Sequence, residues 1–240
     1  NSLDYKDSIE AKYNRVTFGE IIFHGVSFRD HRNYKSYGIS SIINSINFEV
    51  IGGFRLGPYI HQFKRWKSGR SLWTSGTVNI GLQNKDVQGH GNFYFRYNPH
   101  KLADILIRAG RSFHSVNSND AYLNQLKISN YILHNHFGGF HKFEVINGLF
   151  LQTGAFFSDR QSVENYNAST VLNEVIDVTD PLQFEGYQSF HSEVKLSYTP
   201  EQKYITEPTY KQILGSRYPT ISVTHKKGWN GAFGSDVDYD

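Results

Sequence analysis

The chain has 240 residues, a net charge of +3, and neither cysteine nor methionine. It can therefore hold no disulfide, thiolate metal site or cysteine nucleophile. No apolar run reaches the ~18 residues of a transmembrane helix. A mean hydropathy of -0.50, with 15% aromatics and 21 glycines, suits sheets with one polar face, a β-barrel among them.

Asn1 to Arg15 is polar, with at most a short helical pattern through Leu3, Ile9 and Tyr13. Val16 to Phe28 alternates weakly and holds Ile21-Ile22-Phe23, a strand or interfacial segment. His31 to Ser41 reads as a linker. Strands then follow in series. Ile46, Phe48, Val50, Phe54 and Leu56 share a parity opposite Asn47, Glu49 and Arg55, until Gly57-Pro58 breaks the run. Tyr59 to Trp66 is a return strand and Lys67-Ser68-Gly69-Arg70 a turn. Leu72 to Phe113 is the most legible stretch. Its aliphatics fall on even positions through Leu82. Phe93, Phe95 and Tyr97 then oppose Asn92, Arg96 and Asn98, and Ile105 and Ile107 oppose Asp104 and Arg108. A period of two marks strands with one apolar face. Asn98-Pro99-His100-Lys101 is too short for a crossover helix, so the neighbours are antiparallel.

Beyond Phe113, Ser118-Asn119-Asp120 is placed to cap a helical turn before Tyr122 and Leu126. Ser129 to Phe137 is a strand, Gly138-Gly139 a hairpin signal, and His141 to Phe157 one long strand. The polar loop Ser158 to Gly186 exceeds ordinary connections. Phe190 to Tyr198 alternates most cleanly, Thr199 to Ser216 is a connection, and Tyr218 to Lys226 is the last strand. These make about nine strands, many longer than the usual five or six residues. Counting sides puts mostly short turns below and the two irregular loops, His114–Ile128 and Ser158–Gly186, above. Short periplasmic turns with longer outer loops are the outer-membrane pattern. The expected fold is all-β, a partial antiparallel up-and-down transmembrane β-barrel. Residues 1–44 would be a periplasmic segment and 45–240 the N-terminal portion of the barrel. A soluble β-sandwich alternates as well. The chain opens at Asn1 without a signal peptide and reads as an internal piece of a longer protein.

The chemistry-bearing residues are sparse. His134 and His136 share a strand face and His141 follows the expected turn; with a carboxylate they could hold Zn²⁺ or Cu²⁺. Polar lumen residues are the favoured reading. Asp236-Val237-Asp238-Tyr239-Asp240 resembles the start of a Ca²⁺ loop but lacks its glycine and distant glutamate. Asp159-Arg160 could pair with each other or with lumen charges. Trp66 and Trp73 flank a turn as belt residues would. There is no Gly-x-Ser-x-Gly elbow, and Lys64-Arg65-Trp66-Lys67 is the densest basic cluster. No catalytic, cofactor or metal residue is assigned, and nucleic acid is not an expected partner.

Three segments carry a resemblance: residues 7–15, residues 48–56, and Tyr198-Thr199-Pro200-Glu201-Gln202-Lys203-Tyr204 continuing to Arg217-Tyr218-Pro219-Thr220. The tail from Gly228 to Asp240 fits the same pattern. Together they resemble a family of Bacteroidetes outer-membrane proteins of unassigned function, which carry an N-terminal carboxypeptidase-regulatory-like domain and a C-terminal BamA-like barrel. The chain departs from that family's first-strand pattern at Glu49 and Gly52. The resemblance implies an outer-membrane, non-enzymatic barrel that assists protein insertion or translocation, or scaffolds the envelope. Its partners would be outer-membrane lipid and client or envelope proteins, without a cofactor. A passive pore and a soluble glycan-binding sandwich or hydrolase scaffold are the alternatives.

Overall fold

In the computed structural model, residues 2–119, 121, 125–174 and 180–239 are described. The expected cap at Asp120 and Tyr122, and the last residue of the aspartate-rich tail, lie outside them. The chain opens with helix α1 (Ser2–Tyr13). A hairpin follows, β1 (Val26–Asp30) with β2 (Lys35–Ile39), and then a second, β3 (Ile46–Glu49) with β4 (Gly53–Leu56). The long strands come next: β5 (Tyr59–Arg65), β6 (Ser71–Gly81), β7 (Val87–Asn98), β8 (Ala103–Ser115), β9 (Tyr131–Ile146) and β10 (Leu149–Gln161). A short helix α2 (Thr170–Asn173) lies in the loop before β11 (Tyr187–Tyr198). The chain closes with β12 (Lys203–Glu207), β13 (Tyr210–Gly215) and β14 (Ile221–Gly228).

Twelve strands form one antiparallel sheet in the order β1-β2-β5-β6-β7-β8-β9-β10-β11-β14, with β4 also pairing β6 and β3 pairing β4. The sheet is open: β1 and β14 do not pair with each other. The all-β antiparallel architecture is as expected, but the count of about nine strands is corrected to twelve in the sheet and two in a separate hairpin, β12-β13.

Each difference has a local cause. The stretch expected as one strand, Ile46 to Leu56, folds back because Gly52 and Gly53 both take positive φ, at 78° and 65°. Phe48 then faces Phe54 across the hairpin, ring centroids 5.1 Å apart. The expected linker His31 to Ser41 contains β2, whose Tyr37 and Ile39 pair Gln62 and Ile60 of β5. Gly138-Gly139 is no turn. Both glycines lie inside β9, where a Cβ on Gly139 would meet the Leu106 carbonyl oxygen at 2.1 Å. The turn falls instead at Asn147-Gly148, with Gly148 at φ 80°. Because one hairpin replaces the other, the sides assigned to every later connection stay the same.

Cross-strand partners share a face, so the register sorts the sheet into two. One row runs Leu72–Phe95–Ile105–His141–Thr153–Val194 through β6 to β11. From β6 to β11 this apolar face carries no Asp, Glu, Lys or Arg until a polar row, Arg111–Asn135–Asp159–Gln188. Its large side chains stay exposed, Val78 at 64% and Phe137 at 59%. The opposite face is polar, and the chain's small buried core lies elsewhere. Ile51, Ile128, Leu133 and Val163 pack with Phe113 and Tyr166 at the upper ends of β8 and β9. There the β10–β11 loop is tied to the β3–β4 turn by Gly52 N–H to Asn167 O and Ser169 N–H to Val50 O.

Candidate functional site

The polar face collects the sheet's ionic chemistry, because strand parity sends every second residue there. At its upper margin the wholly buried Arg55 donates to Asn79 Oδ1 at 2.7 Å and to both oxygens of Asp86, at 3.1 and 2.9 Å. Lower down, Arg96 forks onto Asp104 at 2.7 and 3.1 Å, and Lys226 meets Glu193 at 3.1 Å. Bidentate guanidinium–carboxylate geometry makes the first two pairs rigid.

At the lower margin the β12-β13 hairpin folds under this face. Lys211 Nζ donates to Glu144 Oε2 at 2.5 Å and to Asn147 Oδ1 at 3.1 Å. Gln202 Nε2 and the Gly148 N–H donate to Glu144 Oε1 at 3.2 and 3.1 Å. Both charged side chains are buried, Glu144 at 4% and Lys211 at 8% exposure. The Lys211 ammonium also sits 4.0 Å above the Tyr204 ring. The tip of the hairpin reaches the β5–β6 turn, where a Cβ on Gly69 would overlap the Thr209 carbonyl oxygen. The hairpin thus underlies the sheet from β11 to β5, with a buried charge pair at its anchor and the Lys211 N–H on the Pro99 carbonyl beside it.

Sequence reading treated Thr199 to Ser216 as a plain connection and missed Lys211. The available signal was Tyr204-Ile205-Thr206 and Ile213-Leu214 on either side of Glu207-Pro208-Thr209, a strand–turn–strand pattern.

The residues expected to matter are divided between the faces. His134 and His136 lie on the polar face, but His141 lies on the other, because β9 continues straight through Gly138-Gly139. There His141 Nε2 is 2.7 Å from the Tyr97 hydroxyl. The three therefore cannot share one ion, and among the described residues no group of three His, Asp or Glu could hold a metal. Asp159 and Arg160 also point apart: Asp159 accepts from Asn135 and Gln161, and Arg160 donates to the Tyr187 hydroxyl. Trp66 packs edge-on to Phe95 of the apolar face, whereas Trp73 shares its row with Phe63 and Tyr94 on the polar face. On β11, Phe190, Val194, Leu196 and Tyr198 take one face and His191, Glu193, Lys195 and Ser197 the other, as the alternation predicts.

The apolar face holds a recess of about 560 Å³ bounded by Phe137, Phe157, Phe190 and Phe233, with no charged side chain in its lining.

No curated protein and no solved structure matches the chain. Residues 19–240 match the family described as "Family of unknown function (DUF5686) C-terminal domain", and the chain belongs to that family.

Proposed function

We propose that this chain forms part of the wall of an outer-membrane β-barrel, with its apolar face toward lipid and its polar face toward water. The observation that carries this reading is the segregation of charge between the faces. On β10 the outward residues Leu149, Leu151, Thr153, Ala155 and Phe157 are uncharged, and the next is Asp159. That span of nine residues, 149 to 157, covers roughly 30 Å along the strand, or about 23 Å of height at a ~40° tilt. The apolar band of such barrels is about 25 Å tall.

The hairpin beneath the polar face favours an occluded barrel over a passive pore. With the resemblance of residues 48–56 and the tail to an outer-membrane family that carries a BamA-like barrel, this supports a non-enzymatic role in protein insertion or translocation, or as an envelope scaffold. The chain lacks cysteine, so single cysteines report cleanly. In the full-length protein in membranes, cysteines at 194 and 196 should react with a lipid-soluble probe, and those at 193 and 195 with a small aqueous one. The reverse pattern, or extraction without detergent, refutes the membrane reading. Steady single-channel conductance by the unmodified protein would instead favour the pore.

A further inference from the structure

The polar face also carries a cluster of imidazoles and one guanidinium that none of the ion pairs above uses. In one cross-strand row, His90 of β7 faces Gly110 of β8, which faces His136 of β9, which faces Ser158 of β10. His134 lies two residues along β9 from His136, with ring centroids 5.2 Å apart, and His114 is 5.7 Å from His134. In the row below, Arg108 lies beside Gly138. Gly110 leaves room for the His136 ring, whereas the space over Gly138 is filled by Phe156. A Cβ on Gly110 would come within 2.7 Å of His136 Cε1 and 3.1 Å of His90 Cβ.

The carboxylates around this patch are already neutralised. Asp86 is held by Arg55, Asp104 by Arg96, Glu193 by Lys226 and Glu144 by Lys211. Arg108 makes no ion pair among the described residues. His136 Nδ1 is buried without a hydrogen-bond partner. Other groups facing the imidazoles are Gln88 from β7, Ser112 from β8, Ser158 and Arg160 from β10, and His191 from β11. Ser158 Oγ lies 2.6 Å from His134 Nε2. Above the patch, Asp86 and Glu49 flank Arg55, and Asp159 lies on the reverse face of β10.

A ladder of imidazoles beside an unpaired guanidinium suits an oxyanion better than a metal. Guanidinium matches a tetrahedral oxyanion through two parallel N–H donors. Imidazoles at this spacing oppose one another's protonation until an anion offsets them. An imidazole that takes up a proton as the oxyanion arrives gains a charge-assisted contact with it, so binding and protonation are coupled.

We propose that this patch is a proton-coupled binding site for a phosphate-type oxyanion, held by Arg108 with His90, His134 and His136. The inference rests on the polar face being open to water, as the proposed barrel wall requires. It is tested on the detergent-solubilised full-length protein, where binding does not depend on membrane orientation. The labelling experiment above fails or succeeds separately.

Calorimetric titration with inorganic pyrophosphate at pH 6 and pH 8, in two buffers of different ionisation enthalpy, reads affinity and proton uptake together. Binding is expected to be about ten-fold or more tighter at pH 6, with net proton uptake. Arg108→Gln should weaken it about ten-fold or more at both pH values, the loss of one charge-assisted contact. The double substitution His90→Gln with His136→Gln should flatten the pH dependence, and Lys195→Gln, outside the patch, should change neither. Circular dichroism confirms that each variant keeps its sheet. A parallel titration with short-chain phosphatidic acid separates the sources: saturation by pyrophosphate assigns a soluble phosphate, and saturation by the lipid alone a phosphorylated headgroup. Saturation by neither at pH 6, or binding indifferent to both pH and Arg108→Gln, overturns the proposal.

Discussion

Glu144→Ala should release the β12-β13 hairpin without unfolding the sheet. The substitution strips three donors of their acceptor: Lys211 Nζ at 2.5 Å, Gln202 Nε2 at 3.2 Å and Gly148 N–H at 3.1 Å. Hydrogen bonds to charged groups contribute ~1.5–3 kcal/mol each, so simple addition gives roughly 4.5–9 kcal/mol. That sum is too large, because Lys211 keeps Asn147 and regains water once the hairpin lifts. Breaking a buried pair by removing one partner costs about 3–5 kcal/mol, and this is the expected loss in hairpin docking. Hydrogen exchange of the full-length protein in detergent reads it directly. Amides of Lys203–Glu207 and Tyr210–Gly215 should lose protection while those of β8 and β9 keep theirs. Adding Lys211→Met to Glu144→Ala removes the orphaned ammonium and should restore roughly 1–3 kcal/mol of that loss. Unchanged hairpin exchange in Glu144→Ala, or no recovery in the double variant, would refute the idea that this pair holds the hairpin.

Three further outcomes follow from the same geometry. Val194→Arg, on the apolar face mid-strand, should cost about 2–4 kcal/mol in a bilayer, and Glu193→Gln beside it under about 1 kcal/mol, by denaturant unfolding; equal costs would argue against the face assignment. Gly148→Ala should cost roughly 1–3 kcal/mol, since φ is 80° and the new Cβ meets the Thr199 carbonyl oxygen at 2.3 Å, whereas Gly19→Ala meets nothing within 4 Å. Docking of α1 should be lost in acid. Glu10 is held below the usual carboxylate range, first by the His31 backbone N–H and then by the His31 side chain. A carboxylate depressed in the folded state stabilises above its unfolded value of ~4.3 and loses that contribution as pH falls through the folded value. Spin labels at residues 6 and 33 should therefore stay close at neutral pH and separate well below pH ~4; separation on raising the pH would contradict this.

Where strands are long and one face is continuously apolar, the sequence was sufficient. Leu72 to Phe113 and Phe190 to Tyr198 could be read residue by residue, because a period of two over ten or so positions has few rival explanations. Glycine misled in both directions. Gly138-Gly139 carries the composition of a turn, yet the pair is needed mid-strand, where Phe156 and the Leu106 carbonyl press against the backbone. Gly52-Gly53 sits in a run whose parity looks unbroken, because a tight hairpin can return Phe54 to the side of Phe48. The charged pairs were illegible for another reason: Arg55–Asp86 and Glu144–Lys211 lie 31 and 67 residues apart. Nothing local marks such partners, and only the register of the intervening strands brings them together.

The first residue after α1 has a consequence for how the sheet can grow. Asn14 donates its side-chain amide to the Arg29 carbonyl and accepts from the Arg29 N–H, both at 2.7 Å, on the outer side of β1. One side chain thus imitates the backbone of an incoming strand. α1 is kept in place by Glu10 on His31 and by Asp7 on Arg32. Occupancy of this border by the helix and annealing of another strand onto β1 are mutually exclusive, so the two equilibria are in direct competition. Reciprocity then requires that whatever tightens the helix there raise the threshold for strand addition by the same free energy. The amino-terminal segment is in this sense a competitor for the sheet's first seam, and its release is the event that would make that seam available.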